Sequence, residues 1–158
     1  MNPADAKFLA NVERYGWAVT KVFIPPGEEA NDFARSTGLF LAFGHPEIVM
    51  FGLPLDRMQT IINIIGNRIK SDEKFVPGQD YFDVFERHLC KFEIVNKSHY
   101  KGHFGRSNWF YEGHDYPALQ CIWPDRDGFF PYQRECNVGI QKLQNPLYLP
   151  IPNKNERV

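Results

Sequence analysis

"GLFLAFGHPEIVMFGLP", residues 38–54, decides how the rest of the chain is read. Two apolar runs flank a Gly-His-Pro-Glu knot at residues 44–47. The second run, "EIVMFGL", is apolar almost throughout, which predicts a central strand covered on both faces. Pro54 stops it. The first run, taken with the residues before it as "FARSTGLFLAFG" (33–44), predicts a neighbouring strand, with His45-Pro46 as the corner between the two. Immediately after Pro54, "LDRMQTIINIIGNRIKS" places Leu55, Met58, Ile62, Ile65 and Ile69 at alternating spacings of three and four. That spacing predicts an amphipathic helix over 55–71, with Arg68 and Lys70 suited to its C-terminus.

Outward from this centre the signals are more local. Asn2 can cap, Pro3 fits a first helical position and Gly16 can close, so "NPADAKFLANVERYG" predicts an opening helix. "WAVTKVFI" alternates and is β-branched, hence a strand. "PPGEEAND" is a loop. Cys90–Val95 and "ALQCIWP" (118–124) are strand-like, "DRDG" is a turn signal, and "FFPYQ" (129–133) predicts the return strand of a hairpin. Within 97–111, Tyr100, Phe104, Ser107 and Tyr111 stand at helical spacing, which Gly102 and Gly105 weaken. The expected architecture is a single α+β domain, mainly antiparallel, over residues 1–144. The 55–71 helix packs on one face and the other helical segments lie at an edge or on the other face. Residues 145–158, with Pro146, Pro150 and Pro152, form an extended, partly mobile tail.

A chain of 158 residues can bury a core of its own, and 14 Phe, 7 Tyr and 3 Trp supply ring area for it. With 18 Lys+Arg against 19 Asp+Glu, the net charge of -1 gives no electrostatic footprint for nucleic acid or an anionic membrane. The stretch 97–111 interleaves Lys97, Lys101 and Arg106 with aromatics as single-strand binders do, but so few cations release few counterions. Cys90, Cys121 and Cys136 are odd in number and widely spaced. With no leader-like segment and no membrane-length apolar run, they suit a cytoplasmic protein of a reducing compartment.

Four groups of residues can carry chemistry. His45 and Glu47 are two apart, so in an extended segment they point to one side; an imidazole near a carboxylate makes a general base or half a metal site. The alternative is a capped turn. No H-E-x-x-H or second ligand pair accompanies them, so no metal is expected. Asp125 and Asp127 in "WPDRDG" can hold a cation or water, or simply form a hairpin turn; a calcium loop is broken by Cys136 at its twelfth position. Arg35, Ser36 and Thr37 form a polar trio in an apolar strand; Arg35 is expected to face solvent first, or else an acid or an anionic ligand. Cys121, mid-strand, suits a buried thiol better than a nucleophile. No G-x-S-x-G, P-loop or G-x-G-x-x-G is present.

The order of motifs resembles the bacterial family catalogued as domain of unknown function 4262. The residues that carry it are Gly16-Trp17, Phe33-Ala34, Gly38-Leu39, His45-Pro46-Glu47, Gly52-Leu53-Pro54, Trp123-Pro124-Asp125 and Gly128-Phe129-Phe130-Pro131, so the likeness spans about residues 10–132. Relatives tend to carry an aromatic-hydroxyl pair where this chain has Arg35-Ser36. The resemblance implies a fold and no activity. Three functions remain in view: a domain binding a small anionic or nucleotide-like ligand, a protein-interaction module such as an immunity or accessory factor, and a flavin-binding split-barrel-like oxidoreductase. The first expects the sheet to bring the His-Pro-Glu and Trp-Pro-Asp corners around one hollow. His45, Glu47 and Asp125 are then the catalytic candidates, and Arg35, Thr37 and Trp123 the ligand-binding ones; no cofactor is specified.

Overall fold

A computed structural model of the chain describes residues 1–152. Helix α1 (Pro3–Tyr15) begins where the Asn2 side chain accepts from the Asp5 N–H at 2.8 Å and ends at Gly16, whose φ of 97° a side chain would resist. Five strands follow: β1 (Ala18–Val22), β2 (Phe33–Thr37), β3 (Glu47–Phe51), β4 (Lys91–Ile94) and β5 (Ala118–Ile122). They form one sheet in the order β1-β2-β3-β5-β4. Every pairing is antiparallel except β3 with β5, which are parallel in the register Glu47↔Ala118 and Val49↔Gln120.

That parallel pair sets the geography of the molecule. Parallel neighbours start at one end of a sheet and finish at the other. The Gly44-His45-Pro46 corner before β3 therefore lies beside Tyr116-Pro117 before β5, where the Glu47 N–H donates to the Pro117 carbonyl at 3.0 Å. The Gly52-Leu53-Pro54 and Trp123-Pro124-Asp125 turns leave together at the opposite end. As the apolar run predicts, all five residues of β3 are buried.

Helix α3 (Leu55–Lys70) lays Met58, Ile61, Ile62, Ile65 and Ile69 on one face of the sheet, against Ala34, Ile48, Met50 and Cys121. Gly66 is required there by close approach: a Cβ on it would stand 2.6 Å from the Trp17 ring. The other face carries a second core of Phe33, Val49, Phe51, Tyr100, Phe104 and Tyr116. Its cover is two short helices, α4 (Tyr100–His103) and α5 (Gly105–Tyr111). The helical spacing in 97–111 is thus real but broken: Phe104 leaves helical geometry at φ -127°, ψ 33°. The free thiols of Cys90, Cys121 and Cys136 are buried. Among the described residues no helix is long and apolar enough to cross a membrane.

One expected strand, 33–44, is strand only in its first half, β2, and another is no strand at all. Residues Leu39–Phe43 form a helical turn, α2, because Gly38 takes φ 120° and turns the chain out of β2. "FFPYQ" makes no hairpin partner; its segment is a series of turns leading to α6 (Val138–Leu143), an element absent from the sequence reading. Two buried glutamines, Gln120 of β5 and Gln144 just beyond α6, take the place of a strand partner. Gln144 accepts from the Trp123 N–H at 3.1 Å and donates to its carbonyl at 2.8 Å; Gln120 donates to the Asn145 carbonyl at 2.7 Å and accepts from the Leu147 N–H at 2.9 Å. Residues 145–147 of the expected tail are thereby fastened to β5; its last residues, 153–158, lie outside the described residues.

Candidate functional site

The His-Pro-Glu corner is built from within. The Phe75 N–H donates to His45 Nε2 at 3.0 Å, so that nitrogen carries no proton; Nδ1 holds it and donates to the Pro46 carbonyl at 2.8 Å. Burial, above all, lowers the His45 pKa below 6.5; the Pro46 bond pulls the other way and the charge of Lys74 adds to the lowering. Both ring nitrogens of a neutral imidazole are spent on backbone.

Glu47 is fully buried and meets five donors. Ser36 Oγ donates at 2.7 Å, the Gly38, Leu39 and Phe40 N–H groups at 2.9, 3.2 and 3.2 Å, and the Tyr111 hydroxyl completes the set. Both hydroxyls are committed as donors, since Ser36 Oγ accepts from the Ile48 N–H at 2.9 Å and Tyr111 from the Leu41 N–H at 3.3 Å. Burial pushes the Glu47 pKa above 4.5, and the donors from Tyr111, Ser36, Gly38 and Phe40 restrain the rise. A shell of donors with no acceptor suits an ionised carboxylate. Its task is structural: it caps the amide groups that open α2.

His45 and Glu47 do not share a site. The side-by-side expectation assumes continuous extended chain, but His45 precedes the strand, and its ring lies edge-on to Phe75 of the α3-side core. Glu47 instead faces Tyr111 of α5.

The polar trio is also interior. Arg35 is only 6 % exposed, against the expectation of a solvent-facing side chain. Its Nη1 donates to the His103 carbonyl at 3.0 Å, its guanidinium lies 5.9 Å from the Phe33 ring centre, and its buried Nε has no partner. Burial lowers its pKa to about 10, leaving it charged at neutral pH. Thr37 and Ser107 share a hydroxyl–hydroxyl bond of 2.5 Å. Ser36 serves Glu47.

At the far end of the parallel pair, Asp125 is 5 % exposed and fastens its own loop. Oδ1 accepts from the Asp127 and Phe129 N–H groups, each at 2.9 Å, and Oδ2 from the Asn137 N–H at 2.8 Å. The Asn137 bond leads in holding its pKa below 3.8, with help from the Phe129 and Asp127 bonds and against the upward pull of burial. Trp123 donates its indole N–H to the Phe51 carbonyl at 2.8 Å, tying β5 to the end of β3. His45 and Asp125 therefore stand at opposite ends of the sheet, and they border separate clefts in place of a single shared hollow.

The first cleft, about 590 Å³, opens beside His45, Phe43, Phe75 and Pro117. The second, about 420 Å³, opens beyond the carboxyl ends of β3 and β5 between Trp123, Asp125 and the start of α3. Arg57 from α3, Arg87 and His88 from the loop before β4, and Arg126 from the Trp-Pro-Asp turn line it, with Glu86 as a further acid. Among the described residues, none of the three guanidiniums takes part in a salt bridge or a side-chain hydrogen bond. No side chain caps the start of α3, whose sixteen residues point their N-terminal amides toward this end.

None of these cations stood out in the sequence. Arg57 belongs to the polar side of a helix, Arg87 to a loop, and Arg126 to a turn considered for its acids; only the fold makes them neighbours. The local cue was Gly52-Leu53-Pro54, a tight strand-to-helix turn.

A family profile matches residues 11–137, and its description is domain of unknown function (DUF4262). The chain belongs to the DUF4262 family. No curated protein and no solved structure matched it. In DUF4262 terms, the matched span takes in both corners and the three arginines of the second cleft, and stops at the Asn137 whose N–H holds Asp125.

Proposed function

We propose that this DUF4262 protein binds a small polyanionic, phosphorylated or nucleotide-like ligand in the cleft beyond the carboxyl ends of β3 and β5. The observation that carries the reading is three guanidiniums that, among the described residues, form no salt bridge, with His88, around one cavity of about 420 Å³ where they outnumber the carboxylates of Glu86 and Asp125. Arginine forks pair with phosphate oxygens two at a time. The uncapped start of α3 adds amide donors and the positive end of a helix dipole at the same place. In open sheets with parallel strands, ligands collect outside the carboxyl ends of those strands. Trp123, Pro124 and Phe85 supply apolar wall, and Asp125 holds the shape of the loop that presents Arg126. Free cysteines fit the reducing bacterial cytoplasm in which such metabolites occur.

Leu41, Phe82 and Trp109, three of the exposed large apolar side chains, sit on separate elements, and singly exposed side chains are ordinary surface. The ligand-binding reading is therefore preferred to the interaction module.

Calorimetric titration with inorganic pyrophosphate tests it. Binding should weaken as salt rises, and the Arg57→Glu/Arg126→Glu double variant should lose about tenfold or more in affinity. Both positions are exposed, so thermal unfolding should barely move. Equal affinity of wild type and double variant would overturn the assignment.

A further inference from the structure

The first cleft, beside His45 at the opposite end of the parallel pair, has a different chemistry. Its walls are apolar: Phe43, Ile69, Phe75, Pro117 and Leu119 enclose most of about 590 Å³, a size typical of small-molecule sites. His45 borders it but offers no free nitrogen, since Phe75 and Pro46 use both. The charged groups at its mouth come from one short loop, Asp72-Glu73-Lys74. Glu73 is neutralised by Arg68, which donates to it from Nε at 2.9 Å and Nη2 at 2.6 Å. Among the described residues, Asp72 and Lys74 make no side-chain bond, and the Lys74 ammonium is close enough to His45 to depress its protonation.

From this arrangement we infer that the His45 cleft binds an apolar carboxylic acid, its body among the aromatic and aliphatic walls and its carboxylate at Lys74. An apolar body leaves water for the cleft, and one available cation beside it selects an anionic head over a neutral one. Asp72 on the same rim opposes the head, so the site works against a charge it could lose. The inference does not rest on the arginine-lined cleft: the two lie at opposite ends of β3 and β5 and want different ligands, one apolar with a single charge, the other polyanionic.

Octanoate and 1-octanol, titrated into the full chain by calorimetry, separate the contributions of body and head. Octanoate should bind, and 1-octanol about tenfold more weakly; Lys74→Met should remove most of that difference, and Val76→Glu, at an exposed position on the cleft wall, should weaken octanoate by about tenfold. Asp72→Asn should tighten octanoate about twofold. Pyrophosphate binding should survive all three changes, and octanoate binding should survive Arg57→Glu/Arg126→Glu, so each cleft can fail alone. The inference is overturned if octanoate does not bind, if 1-octanol binds as well as octanoate, if Val76→Glu leaves octanoate affinity unchanged, or if Asp72→Asn weakens it.

Discussion

The two corners of this molecule look alike in sequence and behave differently in the fold. Each sets a carboxylate next to a proline, Pro46-Glu47 and Pro124-Asp125, and each carboxylate is consumed by donors of its own chain. Glu47 does this in the dry interior, where burial raises its pKa, while Asp125 does it in a surface loop, where N–H donors lower it. An acid in a turn-forming motif is first a hydrogen-bond acceptor for that turn. Free charge has to be sought among side chains the motif leaves unused, and here those are Arg57, Arg87 and Arg126.

Glu47→Gln gives the largest effect. It sets an amide NH₂ against a shell made only of donors, and should cost about 3 kcal/mol or more, read as a shift in the urea midpoint. A variant as stable as the wild type would show that the five bonds do not hold α2. Asp125→Asn keeps the two bonds to one oxygen and opposes one donor with the other. It should lower the melting temperature less than Glu47→Gln and leave the sheet intact. Because the folded Asp125 pKa is depressed below 3.8, its stabilisation is present above that value and lost as pH falls through the folded one. The Asn variant should accordingly lose less stability than wild type on the acid limb below about pH 4.

His45 gives a smaller effect of defined sign. Its folded pKa lies below 6.5, so the unfolded chain takes up a proton first as pH falls, and stability declines from about pH 6.5 downward. His103, also lowered by burial, acts in the same direction. Glu47 acts oppositely: with a folded pKa above 4.5, its contribution declines as pH rises through the window above that value. His45→Gln should therefore reduce, without abolishing, the loss of melting temperature between pH 7 and 5.5. An unchanged slope would show that the imidazole does not titrate with unfolding.

How much of this was legible beforehand follows the range of the interactions. Helix α1, β3 and α3 were plain because their signals are local: a cap and a closing glycine, a solid apolar run, a 3–4 stripe. Helix α2 was misread because LFLAF looks like a strand until Glu47, eight residues downstream of Leu39, is seen to cap it. The FFPYQ segment was misread because Asp125 bonds forward to Phe129 and Asn137 and holds turns where a hairpin was expected. The pairing of His45 with Asp125 failed on one fact no local pattern carries, the parallel sense of β3 and β5. The same fact assembles the arginine-lined cleft.

Amide chemical-shift mapping with inorganic pyrophosphate tests most directly the division between a cationic end and an apolar end. Shifts should concentrate at residues 55–57, 86–88 and 125–127, and leave 44–47 and 72–76 still. Shifts centred on His45 and Lys74, or none at either end, would contradict it.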